Sequence, residues 1–150
     1  MQESLHELQA IIYRTIPITR HMQFTAADYG ERGLRLAAPL QENKNLFGTA
    51  FAGSLNTLVT LSGWGLLWFI LRELGVEGDI VIQDSRCQYL VPVCEDFSAF
   101  CSRPGAAQIA RFSQTLQQRG RARLEVFSEI RQHDSVAVAF QGRYVVQTRS

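Results

Sequence analysis

The sequence predicts an α+β fold in which an antiparallel sheet wraps around one long, central apolar helix. Three observations carry that prediction. Residues 58–71, LVTLSGWGLLWFIL, are apolar on nearly every face a helix could present, so a helix there has to be enclosed on all sides. Around it stand six segments with strand character, in the order helix, two strands, long helix, two strands, short helix, two strands. Neither a βαβ alternation with a phosphate loop nor an internal repeat is visible. A length of 150 residues fits one domain, spanning 1–150, with a sizeable core.

The elements follow from local chemistry. Leu5, Leu8, Ile12 and Ile16 recur at helical spacing, so residues 3–16 read as an amphipathic helix that Pro17 ends. Residues 19–28 and 33–38 read as a hairpin, with Tyr29-Gly30-Glu31-Arg32-Gly33 supplying the turn. Residues 39–48 are polar and form a loop. The long helix covers 50–74 with Gly75 as its stop. Gly53, Gly63 and Gly65 each weaken that helix by ~1 kcal/mol relative to alanine, so they serve close backbone approach or tight packing against the sheet.

Strands are expected over 80–91, 96–103, 121–132 and 136–148, with His133-Asp134 as the last hairpin turn. In 121–132, Ala122, Leu124, Val126, Ser128 and Ile130 alternate with mostly charged residues, which marks a half-exposed strand. Residues 104–118 carry Ile109, Phe112 and Leu116 at helical spacing, begin at Pro104 and end before Gly120, so they form a short surface helix. A free sheet edge and uncovered helix surface favour a homodimer or a dimer of dimers.

Charge and composition exclude several function classes. The balance of 15 Lys+Arg against 14 Asp+Glu, net +1 with no block of like charge, argues against nucleic acid or an anionic membrane as partner. The apolar run is shorter than the ~20 residues needed to span a bilayer. MQESLHELQ has neither the basic nor the apolar region of a secretory signal, so a cytoplasmic location is expected. Cys87, Cys94 and Cys101 are odd in number and show no C-x2-C pair; they read as reduced, mostly structural thiols, with no metal and no redox cofactor implied.

The segment N45-L-F-G48-T-A-F51-A-G53-S54-L resembles the loop-to-helix signature of hotdog-fold acyl thioesterases. More narrowly, GTAFAGSL, LSGWG and GDIVIQDSRCQYLVPV are similar to the putative thioesterase family typified by the C-terminal domain of the YiiD acetyltransferase, over residues 5–148. The resemblance implies the hotdog fold and an acyl-CoA or acyl-carrier-protein thioester as substrate. It departs from the PaaI-like thioesterases at two positions: Phe51 stands where they have histidine, and Thr60 where they place a carboxylate.

Thioester hydrolysis builds negative charge on the carbonyl oxygen, and the unpaired backbone N–H groups of a helix start are suited to stabilise it. Gly53, between Ala52 and Ser54, lets a substrate approach that backbone; otherwise Thr49 or Ser54 caps the helix and Gly53 packs on a strand. By resemblance Asn45 is the signature asparagine, able to donate to a carbonyl or orient water; otherwise it secures the turn 42–45. Gly48 and Thr49 lead into the helix beside it.

Thr60 lacks a carboxylate's basicity, so Asp84, mid-strand in IVIQDSRCQYL, is the substitute base; alternatively it forms a surface pair with Arg86. Alternation puts Asp84 on the face of Ile80, Ile82 and Arg86, and Ser85 and Tyr89 on the other, lining pocket or core. Trp64 and Trp68 line the core or, with Phe51, the acyl tunnel. His6, His21 and His133 read as exposed or structural, and Ser54 and Ser62 lack a G-x-S-x-G elbow. The expected function is therefore thioester hydrolysis, with a non-catalytic acyl-thioester-binding dimer as the alternative.

Overall fold

The computed structural model describes residues 1–149 and begins with α1, Gln2–Thr15, which buries Leu5, Leu8 and Ile12. Ile16, the fourth member of the stripe, is exposed, because Pro17 ends the helix and starts a 3-10 turn, Pro17–Met22. That turn replaces the first half of the expected strand 19–28. Thr19 is buried within it, its hydroxyl donating to Ile16 O at 2.6 Å. Strand β1 is therefore only Thr25–Gly30, and it pairs with β2, Gly33–Ala38, around a turn shortened to Glu31-Arg32. Gly33 has φ +146 and lies against the Cys101 carbonyl, a place no side chain could occupy.

The loop 39–51 holds a short 3-10 turn, Gln41–Asn43, and leads into α2, Ala52–Leu74. α2 is long and apolar enough to cross a membrane, yet 67% of its most apolar window is buried inside the protein. Leu58, Val59, Leu66, Leu67 and Ile70 are fully enclosed, each such side chain contributing roughly 1.5–3 kcal/mol on leaving water. Gly75, at φ 68, stops the helix as expected: its N–H bonds Arg72 O, and Val76 N–H bonds Leu71 O at 3.0 Å.

The two mid-helix glycines are explained by packing. A Cβ on Gly63 would overlap the Tyr144 ring, and one on Gly65 would come within 2.7 Å of Leu34 Cδ2. Tyr144, fully buried, donates from its hydroxyl to Thr60 O at 2.6 Å. Only glycine lets helix and sheet approach this closely.

The remaining elements are β3 (Gly78–Tyr89), β4 (Phe97–Ser102), α3 (Ala106–Arg119), β5 (Arg121–Gln132) and β6 (Ser135–Thr148). The six strands form one sheet in the order β1-β2-β4-β5-β6-β3, and all its pairings are antiparallel. This is the hotdog arrangement, with the sheet curved around α2. Ala122, Leu124, Val126, Ser128 and Ile130 of β5 are all buried, as their alternation predicted, and Ser128 meets Ser62 of α2 at 2.7 Å. β3 ends the sheet: one side pairs with β6 and the other pairs with no strand among the described residues.

Candidate functional site

The loop before α2 is held by two asparagines. Asn45 closes its outer turn, donating from Nδ2 to Thr49 Oγ1 at 2.9 Å and accepting at Oδ1 from Phe47 N at 2.9 Å and Thr49 N at 3.2 Å. Its role in a turn is thus realised over 45–49 rather than 42–45. An amide nitrogen carries two hydrogens, and among the described residues one of Asn45's has no acceptor. Gly48, at φ +83, supplies the left-handed backbone that this five-residue loop needs.

Asn43 was not singled out from the sequence, where it reads as one more polar loop residue. It is 3% exposed, donating from Nδ2 to Met22 O at 2.9 Å and Pro39 O at 2.8 Å, while its backbone carbonyl accepts from Phe51 N at 2.7 Å. Asn43 therefore ties the 3-10 turn, the loop and the helix start together. Ala50 N, bonded to Val93 O at 2.8 Å, anchors the loop from the other side.

At the helix start, Leu55 N makes the first intrahelical bond, to Phe51 O at 3.1 Å. The amides of Ala52, Gly53 and Ser54 precede it and have no helical carbonyl to meet, and no side chain caps them: neither Thr49 nor Ser54 takes the capping role. The Phe51 ring folds back over Gly53, where any Cβ would overlap it, and is itself more than half exposed. Leu46 and Phe47 at the loop tip are 88% and 81% exposed, which gives this end of the protein an apolar rim.

From Gly53 a half-buried polar stripe runs along α2 through Asn56, Thr57, Thr60 and Trp64, spaced three and four apart. Thr60 Oγ1 donates to Asn56 Oδ1 at 3.1 Å, and Asn56 Nδ2 donates to Tyr89 Oη at 3.1 Å, joining helix to strand. Asn56 was also missed, although its spacing from Gly53 and Thr60 was readable. Trp64 donates from Nε1 to Ile80 O at 3.1 Å and so ties α2 to β3, whereas Trp68 lies farther along beneath the Arg72 guanidinium, 4.5 Å from its ring centre. Partial burial holds the Tyr89 phenol above its ordinary value; Asn56's hydrogen bond opposes this and Cys87 adds to it. Tyr89 is therefore a hydroxyl donor at neutral pH.

Asp84 is not brought to this site. The β3–β6 register slips between Ile82 and Asp84, a bulge at Gln83 that reverses the alternation expected from the sequence. Ile80 and Ile82 oppose the buried Val146 and Tyr144 on the inner face, and Cys87 and Tyr89 oppose the buried Phe140 and Val138 there. Ser85, Cys87 and Tyr89 thus share the face of Ile80 and Ile82, while Asp84 and Arg86 point outward. Asp84 is exposed and pairs with Arg143 at 3.3 Å, not with Arg86.

The histidines lie elsewhere. His6 and His21 are exposed, and His133 forms a surface pair with Glu95 at 3.1 Å. Ser62 is sealed in the core, donating to Val59 O. Beside it, burial pushes the Cys101 thiol up to about 12.

Comparison with known proteins agrees with this architecture. A family described as "Putative thioesterase (yiiD_Cterm)" matches residues 5–148. A putative thioesterase from Shewanella oneidensis is 33% identical, with 97% of this chain and 98% of that one covered at a TM-score of 0.87. A protein of unknown function from Chlorobaculum tepidum, 24% identical, superposes with a TM-score of 0.93 over 99% of this chain and 96% of its own. A Pseudomonas aeruginosa protein described as a probable thioesterase, 18% identical, covers 96% and 95% at a TM-score of 0.81. The last two speak to the fold.

Proposed function

The chain belongs to the YiiD C-terminal putative thioesterase family, and from that premise we propose that it hydrolyses acyl-CoA or acyl-carrier-protein thioesters as a homodimer. The observation that carries this reading is the uncapped start of α2 at Ala52, Gly53 and Ser54, reached past an apolar rim. The thioester carbonyl lies against these amides, with the free Asn45 N–H completing the oxyanion contacts. Gly48 and Thr49 shape the approach, and the acyl chain follows the stripe from Phe51 past Thr60 to Trp64 and Tyr89.

Water adds to the carbonyl carbon, the tetrahedral oxyanion collapses, the C–S bond breaks, and the proton lost by water ends on the departing thiol. Asn45, Thr49, Ser54, Asn56, Thr60 and Tyr89 offer no group that takes a proton near neutral pH. Rate enhancement in this reading comes from electrostatic stabilisation, and kcat/KM rises steadily with pH between about 6 and 9 instead of following a bell. Asp84, on the outer face, then acts as an ionic contact.

Thiol release from acyl-CoA substrates of graded chain length tests the proposal. Turnover that survives both Asn45→Ala and Gly53→Val sinks the site assignment, and loss of turnover in Asp84→Ala returns that residue to the reaction. The second reading, a non-catalytic acyl-thioester-binding dimer, is favoured by the Phe51 ring that covers Gly53. It is supported if acyl-CoA raises the melting temperature of a protein that releases no thiol.

A further inference from the structure

Residues 97–124 hold five arginines and no carboxylate, and no two of the five are adjacent, so no basic block is visible along the chain. Folding gathers four of them into one groove. Arg111 and Arg119 lie on α3 with Gln108 and Thr115, spaced three and four apart, in a stripe that flanks the buried Ile109, Phe112 and Leu116. Arg121 and Arg123 come from the start of β5. Between helix and strand lie two adjoining cavities of about 410 and 340 Å³, which share Thr115, Ala122 and Arg123 in their walls.

The groove follows a strand edge. Ala122 and Leu124 reach it from the inner face of β5, Arg123 and Glu125 from the outer one. β4 pairs with β5 only at 127–130, so over 121–126 that side of β5 meets no strand among the described residues, and alternate backbone N–H groups there stay open. All four guanidiniums are exposed, and none has an ion pair among the described residues. Arg123 commits one of its five N–H donors, from Nε to Gln83 Oε1 at 2.9 Å. Glu125, at the Arg111 end, is the one carboxylate in either wall.

We propose that this groove binds a small molecule carrying a diphosphate, with its phosphates at the end formed by Arg119, Arg121 and Arg123. Arginine forks match phosphate oxygens in bidentate fashion, and three cations without a carboxylate around one cavity suit the several charges of a diphosphate. Each cavity has the size of a small-molecule site, roughly 300–1,000 Å³. A flat acidic protein surface would leave the cleft unfilled.

This site goes beyond the thioesterase reading and does not depend on it. Arg121 opposes Gln147, which opposes Asp79 just past the end of α2, whereas Tyr89, bonded to Asn56 near the helix start, lies at the far end of β3. The groove and Gly53 thus stand at opposite ends of α2. A free nucleoside diphosphate and the nucleotide end of CoA share the chemistry that would fill it.

Calorimetric titration of the full chain with pyrophosphate, ADP and CoA tests the site. Pyrophosphate and ADP should both bind, and Arg119→Gln/Arg121→Gln should weaken each about tenfold or more. Arg14→Gln/Arg32→Gln removes the same charge from two exposed arginines elsewhere and should leave both affinities within about twofold of wild type. Arg111→Gln, beside Glu125, should cost less than Arg119→Gln, a ranking that holds the test open if the double variant melts early. CoA that weakens in step with ADP in the arginine pair has its nucleotide end in the groove, whereas CoA that is indifferent to the pair leaves a free nucleotide as the occupant. Pyrophosphate and ADP that fail to bind at about 5 mM overturn the proposal. So do equal losses in the two double variants, which report net charge alone, and a polyglutamate peptide that binds more tightly than ADP, which makes the groove a surface for acidic protein.

Discussion

At its C-terminal end α2 is finished on every side. Gly75 and Val76 return hydrogen bonds to the last turn, and Arg103 donates to both Glu73, at 2.8 Å, and the Tyr29 hydroxyl, at 2.6 Å. Tyr29 in turn donates to Glu73 at 2.7 Å and stacks on Phe69 with centroids 3.9 Å apart. At the N-terminal end three amides are left uncapped beneath a single exposed ring, and the nearest loop places Leu46 and Phe47 in solvent. The two ends of one helix are thus opposites: one is saturated and serves stability, while the other is left unsatisfied, and there the proposed site lies.

Substitutions at the two ends of α2 should act differently. The largest effect is expected from Gly53→Val, whose side chain displaces the Phe51 ring and blocks the amides. Turnover should fall on the order of 100-fold, with little change in melting temperature. Equal damage to stability and turnover would mean that the open end is also structural. Tyr29→Phe should cost about 1–2 kcal/mol in denaturant unfolding and leave kcat/KM unchanged, because it leaves the Arg103 and Glu73 donors and acceptors imperfectly paired. A drop in turnover instead would show that the two ends communicate.

Smaller effects follow. Gly75→Ala forces a side chain into the left-handed region and should cost ~1 kcal/mol, again without touching turnover. Tyr89→Phe removes only the exposed hydrogen bond to Asn56, so stability should stay within about 0.5 kcal/mol while substrate affinity shifts a few-fold at most.

The pH dependence separates the ends as well. Burial, reinforced by the hydrogen bond to Glu73 and opposed by Arg103, holds the Tyr29 phenol above its ordinary value of 10.0. A proton bound more tightly in the folded state gives stability that is complete below pH 10 and lost as pH rises beyond it. Urea unfolding should therefore show a constant contribution from Tyr29 between pH 6 and 8, with no slope from it there, and an alkaline loss that is reduced in Tyr29→Phe. Cys101, buried and pushed up from 9.0 to about 12, adds to the same alkaline decline, which Cys101→Ala should lessen.

The sequence by itself determined the elements whose signals are local and periodic. Leu5, Leu8 and Ile12 at helical spacing, the alternation through β5, and Gly75 and Gly120 as helix stops each act through backbone preference and solvent exclusion over a few residues, and all stand in the structure. The segment 45–55 likewise located the helix start. Tertiary contacts decided what local signals do not encode. Thr19 became part of a 3-10 turn because its hydroxyl and the buried residues around it find partners there. Asn43 rose above Asn45 as the buried tie because Met22, distant in sequence, offers it a carbonyl alongside that of nearby Pro39.

The bulge at Gln83 bears most on the proposed site. A one-residue slip reverses every side chain beyond it, so Asp84 moved to the outer face while Ser85 and Tyr89 joined the inner one. Alternation counted along β3 alone could not register that slip, because it exists only in the pairing with β6.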